Sequence, residues 1–460
     1  AAGPLRGPGC APLALVRGFM ACFEPSRDAL LLGALPFAAH RLAAGAEPGE
    51  RLGLLYFAGA FLRRDAAGAW ESVSLEVPGA DALDEPLVEP APAPAPAQTT
   101  EPQDELPPGG YAAMVERAVV LLHERPLVSL TLSQAWRRRV DMPPLQAFRR
   151  LREANPAPAS FFVNDGRGEC LLGASPDLQL VVRGRSVEAL PVCGTVARGA
   201  GPVGEADAMR ELIDEEVDAA SLAVCTDALR NDLAPLCEAG TLRLLDRRRV
   251  MSLATVVHAV ERLAGRLRDG CDAWDAIVAT AAPVMVTGTP RDEALAAIAE
   301  LEASPRDWYG GMVVQVAGTG VALVGTILRA AAVRGGVAQV RTGGDLLAGS
   351  SPAREEQEAR LKTRSLWRAF GLESAQAPGA ANGGTHALPP AVRLLAEGDA
   401  FAAALADCLA GLGMAVRDEA GLTVLAGTRR IGAPRQVLAI GDAAVLLLQG
   451  EGYPVHAIEP

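Results

Sequence analysis

A chain of 460 residues, half of them hydrophobic and 21% charged, has the composition of a globular protein and length for about three ordinary domains. Its net charge of −12 argues against nucleic acid as a partner, because binding phosphates needs a basic surface. No apolar run reaches ~18 residues, so no membrane span is expected, and the opening residues lack the basic-then-apolar order of a signal peptide. Eight cysteines are scattered singly with no CxxC pair, which reads as reduced thiols in a cytoplasmic protein.

Along the chain, short apolar runs at 13–16 and 52–57, broken by Gly and Pro, predict strands of an N-terminal β-rich region. Residues 81–110 are acidic and rich in Pro and Ala; such a stretch cannot bury a core and is expected to be a disordered insertion. A helix over 111–124 and an apolar strand over 127–132 follow. Runs 161–163 and 169–173 predict a hairpin around a Gly-containing loop, and 178–183 with 186–190 a second strand pair. Residues 205–229 have the period of one long amphipathic helix, and 274–282 and 292–303 of shorter ones. Strands are expected at 311–316, 321–328 and 337–342, before a final helix at 353–370.

A set of short motifs recurs through the middle of the chain. In order they are NPAP at 155–158, GASPD at 173–177, PVCGT at 191–195, RNDL at 230–233 and VHAV at 257–260. VTGTP at 286–290, YGG at 309–311, the strand ending in Leu328 and Arg329, and the helix with Glu358 and Lys362 complete the series. Any one of these is weak alone. Together, in this order, they resemble the chorismate-binding enzyme family, closest to the aminating branch of anthranilate synthase and the phenazine-type aminodeoxyisochorismate synthases.

The resemblance implies an α+β fold, with a two-sheet antiparallel core surrounded by helices across residues 1–373, interrupted by the insertion at 81–110. A linker at 374–390 and a small C-terminal α/β segment at 391–460 complete the expected organisation. That last segment resembles the start of a fused glutamine amidotransferase; Cys408 falls in its early helix rather than on a nucleophile elbow, so ammonia would come from solution or a separate amidotransferase.

Chorismate is a dianion whose hydroxyl must leave, which calls for fixed cations, an acid and a metal. By resemblance, Arg329 and Tyr309 contact the enolpyruvyl group, and Gly343 lies in the substrate-binding strand. Asp177 stands where the family has a proton-donating glutamate, His258 at the catalytic histidine, and Thr195 in the accompanying Gly-Thr motif. Glu355, Glu358 and Asp218 are the implied Mg²⁺ site. Outside this context, Glu358 and Lys362 at i,i+4 would be an ordinary surface pair. Yet Lys362 is the one lysine in a chain that otherwise uses arginine, and an ammonium differs physically from a guanidinium fork, which points to a specific anion contact.

The lysines that relatives use to add water or to form aminodeoxychorismate are replaced by Ser129 and Cys193. Ammonia attack at ring carbon 2 needs neither. The implied activity is therefore an aminating, lyase-type synthase of secondary metabolism, using Mg²⁺ and ammonia, in the cytoplasm, with a homodimer as one assembly open to it. Against it stand Ser221 in place of a metal-ligand glutamate, Met285 in place of a threonine, and Asp345 in place of a glycine. A silent homologue serving as a binding or scaffolding subunit, and an enzyme retuned to a modified substrate, are the alternatives.

Overall fold

The computed structural model describes residues 12–23, 26–43, 53–64, 69–75, 104–199, 201–252 and 256–372, together with four short strands between 391 and 440. Of the insertion expected at 81–110, residues 81–103 lie outside the described residues, as do the linker at 374–390 and Cys408. Residues 104–110 instead belong to the fold, with Glu105 paired to Arg341, Leu106 packed on the core and Gly110 opening a helix. The chain divides into two compact units. The first comprises Ala1–Pro191, Val224–Leu245 and Arg262–Ser374; the second comprises Val192–Ala223, Asp246–Glu261 and Ala375–Pro460.

The first unit is α+β, as expected, and its organising element is a six-stranded antiparallel sheet. Its order is Gly288–Thr289, Ser129–Arg139, Val337–Leu346, Ala330–Arg334, Glu169–Ser175, Ala159–Asn164. Alternation assigns its faces. Leu130, Leu132, Trp136, Leu172, Val333, Val340 and Leu346 point to one side, where the helices Gly110–Glu124, Pro144–Ala154, Arg291–Leu301 and Pro352–Ala369 cover them. Leu171, Ala330 and Ala332 point to the other, packing with Phe161, Ile327 and Trp308 and with Ala34, Leu54 and Val313 of a second antiparallel sheet. Within this unit the second sheet runs Ser186–Ala189, Leu180–Arg183, Ala322–Thr326, Met312–Ala317, Leu30–Leu35, Leu54–Ala58. Two antiparallel sheets with helices outside are what the motif order implies.

Polar groups buried between helix and sheet are satisfied in chains. The Tyr111 hydroxyl donates to the Leu132 carbonyl at 2.8 Å and accepts from the Gly344 amide at 3.0 Å. Trp136 Nε1 donates to Thr342 Oγ1 at 2.8 Å, and that hydroxyl donates to the Ala359 carbonyl of the last helix at 2.8 Å. A buried donor or acceptor left unmade costs about 1–3 kcal/mol, so these bonds fix which face of Pro352–Ala369 meets the sheet.

In the second unit, Val192–Ala197 and Arg243–Ser252 both pair with Val256–Arg266, a strand that runs on into the first unit. Ala208, Met209, Leu212, Leu222, Val250, Val257 and Ala259 form its core. Its C-terminal strands Ala391–Ala396, Ala415–Val416, Leu422–Ala426 and Gln436–Ile440 pair in parallel.

Three further expectations are corrected. The run at 13–16 is helical, inside Pro12–Ala21, because its apolar residues serve one helix face against the core that holds Met20. The single helix expected at 205–229 is two, Gly201–Asp214 and Glu216–Leu233, parted at Glu215. The strand expected to end at 132 continues to Arg139. Arg137 there donates to Gln339 at 2.9 Å and Arg138 lies 5.6 Å over the Trp367 ring, so the arginines lie along the sheet rather than ending it.

Candidate active site

The sequence-derived residues fall into two sets, one in each unit. Arg329, Tyr309, Asp177, Gly343, Glu355, Glu358 and Lys362 belong to the first; Thr195, Asp218 and His258 belong to the second.

Arg329 sits in the turn between Ala322–Thr326 and Ala330–Arg334, in the left-handed region with φ 47°. That conformation costs a non-glycine residue free energy and persists only where its surroundings enforce it. Its own carbonyl accepts from the Ala174 amide at 3.2 Å. Among the described residues its guanidinium makes no hydrogen bond and no ion pair, while burial pushes its pKa down and Tyr309 and Glu358 oppose that shift. A desolvated cation without a bonded partner is a strong anion receptor.

Tyr309 opens the Tyr-Gly-Gly turn. Gly310 is left-handed at φ 73°, and a Cβ on Gly311 would collide with the Leu35 carbonyl oxygen, so only glycines allow this turn to lie against Leu30–Leu35. Burial pushes the Tyr309 phenol pKa up, and the Arg306 guanidinium, 5.7 Å from the ring centroid, pulls against it.

The helix Pro352–Ala369 supplies the carboxylates. Lys362 Nζ lies 2.6 Å from Glu358 Oε1 and donates to the Gly343 carbonyl at 2.9 Å. Burial would raise Glu358; the Lys362 ammonium more than reverses this and holds its carboxyl below the usual range. Glu355 is pushed up to about 7, by burial first and then by the neighbouring charges of Glu358 and Asp345. A Cβ on Gly343 would collide with the Leu132 carbonyl, and one on Gly344 with the Glu355 carboxylate, so the Gly-Gly pair brings bare backbone against both. Two part-buried carboxylates that repel each other suit a hard dication, which takes one or two such oxygens and completes its shell elsewhere. Among the described residues no three His, Cys, Asp or Glu side chains form a ligand group by themselves.

Asp177 is 1% exposed. Thr326 Oγ1 donates to its Oδ2 and also reaches Gln179 Oε1 at 3.1 Å, while Oδ1 has no partner among the described residues. Burial raises the Asp177 pKa to about 6 against the Thr326 bond, which lowers it. A carboxyl so poised is a proton donor near neutral pH.

Asp345 faces a polar corner: Thr131 Oγ1 lies 3.2 Å from both Asp345 Oδ1 and the Met285 carbonyl oxygen. Behind it is a network that sequence reasoning missed. Arg306 donates to the Thr131 carbonyl at 2.6 Å and pairs with Glu302 at 2.6 Å; Arg341 pairs with Glu302 and with Glu105, each at 3.2 Å. All four side chains are at most 6% exposed. Nothing in the sequence separates Arg306 and Arg341 from the many arginines beside them.

In the second unit, His258 Nδ1 lies 2.9 Å from the Gly194 carbonyl oxygen and 3.1 Å from Thr195 Oγ1. Asp218 packs against the same glycine: a Cβ built there would stand 3.1 Å from Asp218 Oδ2. Ser221, one turn further along, is buried.

A family model described as chorismate binding enzyme matches residues 15–368. The chain belongs to the chorismate binding enzyme family. It is 39% identical over 317 residues to the anthranilate synthase of Azospirillum brasilense, covering 67% of this chain and 42% of that protein. It is 32% identical over 273 residues to anthranilate synthase component 1 of Cereibacter sphaeroides, covering 59% of this chain and 54% of that protein. This family member thus spans about half the length of these curated relatives. In structure it is similar to anthranilate synthase component I from Streptococcus pneumoniae, with TM-score 0.65 and 22% identity over 78% of this chain and 86% of that one. The menaquinone-specific isochorismate synthase from Escherichia coli gives the same TM-score at 20% identity, over 79% and 83%. Both likenesses concern the fold. No helix among the described residues is long and apolar enough to cross a membrane.

Proposed function

We propose that this chain is an aminating synthase acting on chorismate, of the anthranilate or 2-amino-2-deoxyisochorismate type, using ammonia and Mg²⁺ in secondary metabolism. The observation that carries the reading is Arg329, a desolvated guanidinium with no partner among the described residues, beside Tyr309 and the carboxylates of the last helix. It is the receptor a carboxylate-bearing substrate requires. Relatives named anthranilate synthase support the aminating branch, as do Ser129 and Cys193 at positions where other reactions in the family need an amine.

In this reading Arg329 binds and orients the enolpyruvyl carboxylate with help from the Tyr309 hydroxyl. Asp177, protonated below about pH 6, gives its proton to the departing ring hydroxyl, which leaves as water as ammonia bonds to carbon 2. His258 and Thr195 are further catalytic residues by the family resemblance. Glu355 and Glu358 would hold Mg²⁺, which would supply Lewis-acid charge for the ring carboxylate. Lys362 holds Glu358 ionised and ties the helix to Gly343. Ammonia comes from solution or a separate amidotransferase.

One observation favours a second reading. Thr131, Asp345 and the Met285 carbonyl form an acidic corner that would oppose a carboxylate, as suits a modified substrate or a subunit that binds without turnover. Isothermal titration with chorismate, with and without Mg²⁺, followed by product analysis with ammonium, separates these. Mg²⁺-dependent binding with an aminated product is expected; no binding under either condition would remove the proposal.

A further inference from the structure

We infer that the Gly194 carbonyl sets the tautomer of His258, holding the ring proton on Nδ1 and leaving Nε2 as the accepting nitrogen. The argument begins in the backbone. Val192–Ala197 and Val256–Arg266 pair with Cys193 opposite Ala259 and Thr195 opposite His258, so the register slips by one residue at Gly194. Gly194 is the extra residue of a bulge, in the left-handed region at φ 80°. No side chain fits there, because a Cβ would stand 2.8 Å from Leu212 Cδ1 and 3.1 Å from Asp218 Oδ2. The slip turns the Gly194 carbonyl out of the ladder and toward His258 Nδ1, at 2.9 Å.

An amide oxygen has no hydrogen to give, so this contact is a hydrogen bond only if Nδ1 carries the proton. Thr195 Oγ1, 3.1 Å from the same nitrogen, is then an acceptor as well, and its own proton turns to another group. His258 is 4% exposed, so water does not replace the carbonyl. In its neutral form the ring offers Nε2 as a lone pair. A proton taken there leaves both nitrogens protonated, with the Gly194 carbonyl dipole facing the new positive charge. Gly194 is thus a positioning residue that fixes Nε2 of His258 as a hydrogen acceptor rather than a donor.

This deepens the proposed function, since it says what His258 offers a substrate, but the tautomer is readable without one. The experiment is a long-range proton–nitrogen correlation spectrum of the ¹⁵N-labelled full chain at pH 8. Among its five histidines, the signals lost in His258→Gln identify the ring. The expected result is a protonated Nδ1 and an unprotonated Nε2, unchanged in Thr195→Val, where the carbonyl remains and the hydroxyl is gone. A proton on Nε2, a ring doubly protonated at this pH, or a tautomer that switches in Thr195→Val would overturn it. Adding chorismate to the same sample keeps the two questions apart. Resonances that chorismate leaves unmoved count against the proposed substrate, while the tautomer stands on the unliganded spectrum.

Discussion

Asp177 couples the proposed chemistry to folding. Its pKa is 3.8 when unperturbed and about 6 in the folded chain. The folded state therefore holds this proton more tightly, and the stabilisation is complete below about pH 4 and lost as pH rises through 6. A shift of about two units corresponds to roughly 3 kcal/mol for a group this buried. Asp177→Asn keeps an acceptor for Thr326 and cannot ionise. The variant is expected to flatten the stability profile between pH 4 and 6 and to be more stable than the parent at pH 7, measured by urea denaturation. Turnover, if the proposed role holds, should fall by ~10²–10⁴. A variant with the parent's pH profile would show that Asp177 is ionised in the fold. The candidate residues could be named because motif order marks them; Asp177 was placed by the GASPD run at its position among the others. Its burial could not be read this way, since that depends on Thr326, 149 residues away, which meets it only once the chain has folded.

Among the elements, Ser129–Arg139 and Val337–Leu346 matter most to the site, and they meet through two glycines with opposite tolerances. At Gly343 a Cβ would meet the rigid Leu132 carbonyl; at Gly344 it would meet the mobile end of Glu355. Gly343→Ala should therefore destabilise the fold by about 1–3 kcal/mol or more, the usual cost of overpacking. Gly344→Ala should leave the unfolding midpoint nearly unchanged and weaken Mg²⁺ binding by moving the carboxylate. Denaturation and metal titration of both variants check this; equal destabilisation would defeat the distinction. The strand Ala330–Arg334 was not read from the sequence because Ala-Ala-Ala-Val-Arg lacks the bulky alternation that marks a strand. Its small residues let it sit between neighbours on both sides, which no local pattern reports. The helix Pro144–Ala154 went unread for another reason: only Ala147 and Leu151 are buried along its length. Where periodicity is long and amphipathic, as in Pro352–Ala369, the sequence reading and the structure agree to within a residue.

For the whole molecule, the family and its fold were legible in the sequence, whereas the buried network of Arg306, Arg341, Glu302 and Glu105 was not. Glu302 and Arg306 stand four residues apart, but Glu105 and Arg341 come from distant stretches of chain, and only folding brings them together. The arginine-rich composition that hides those two residues has the opposite effect on Lys362. With a single lysine in 460 residues, the molecule carries one amine side chain, and that amine is bonded to Glu358 and to the Gly343 carbonyl. Among the side chains, amine-directed acylating reagents therefore have one address, distinguished from the N-terminal α-amine by peptide mapping. Intact-mass analysis should show slow single modification of Lys362, retarded by chorismate with Mg²⁺ and accelerated in Glu358→Gln, which removes the ion-pair partner that holds the amine. Modification of Lys362 at the rate of a free amine, indifferent to both, would mean the ion pair does not guard it. Few proteins come with so selective a chemical footprint already in place: a single reaction reports whether the site is closed, and no label need be engineered.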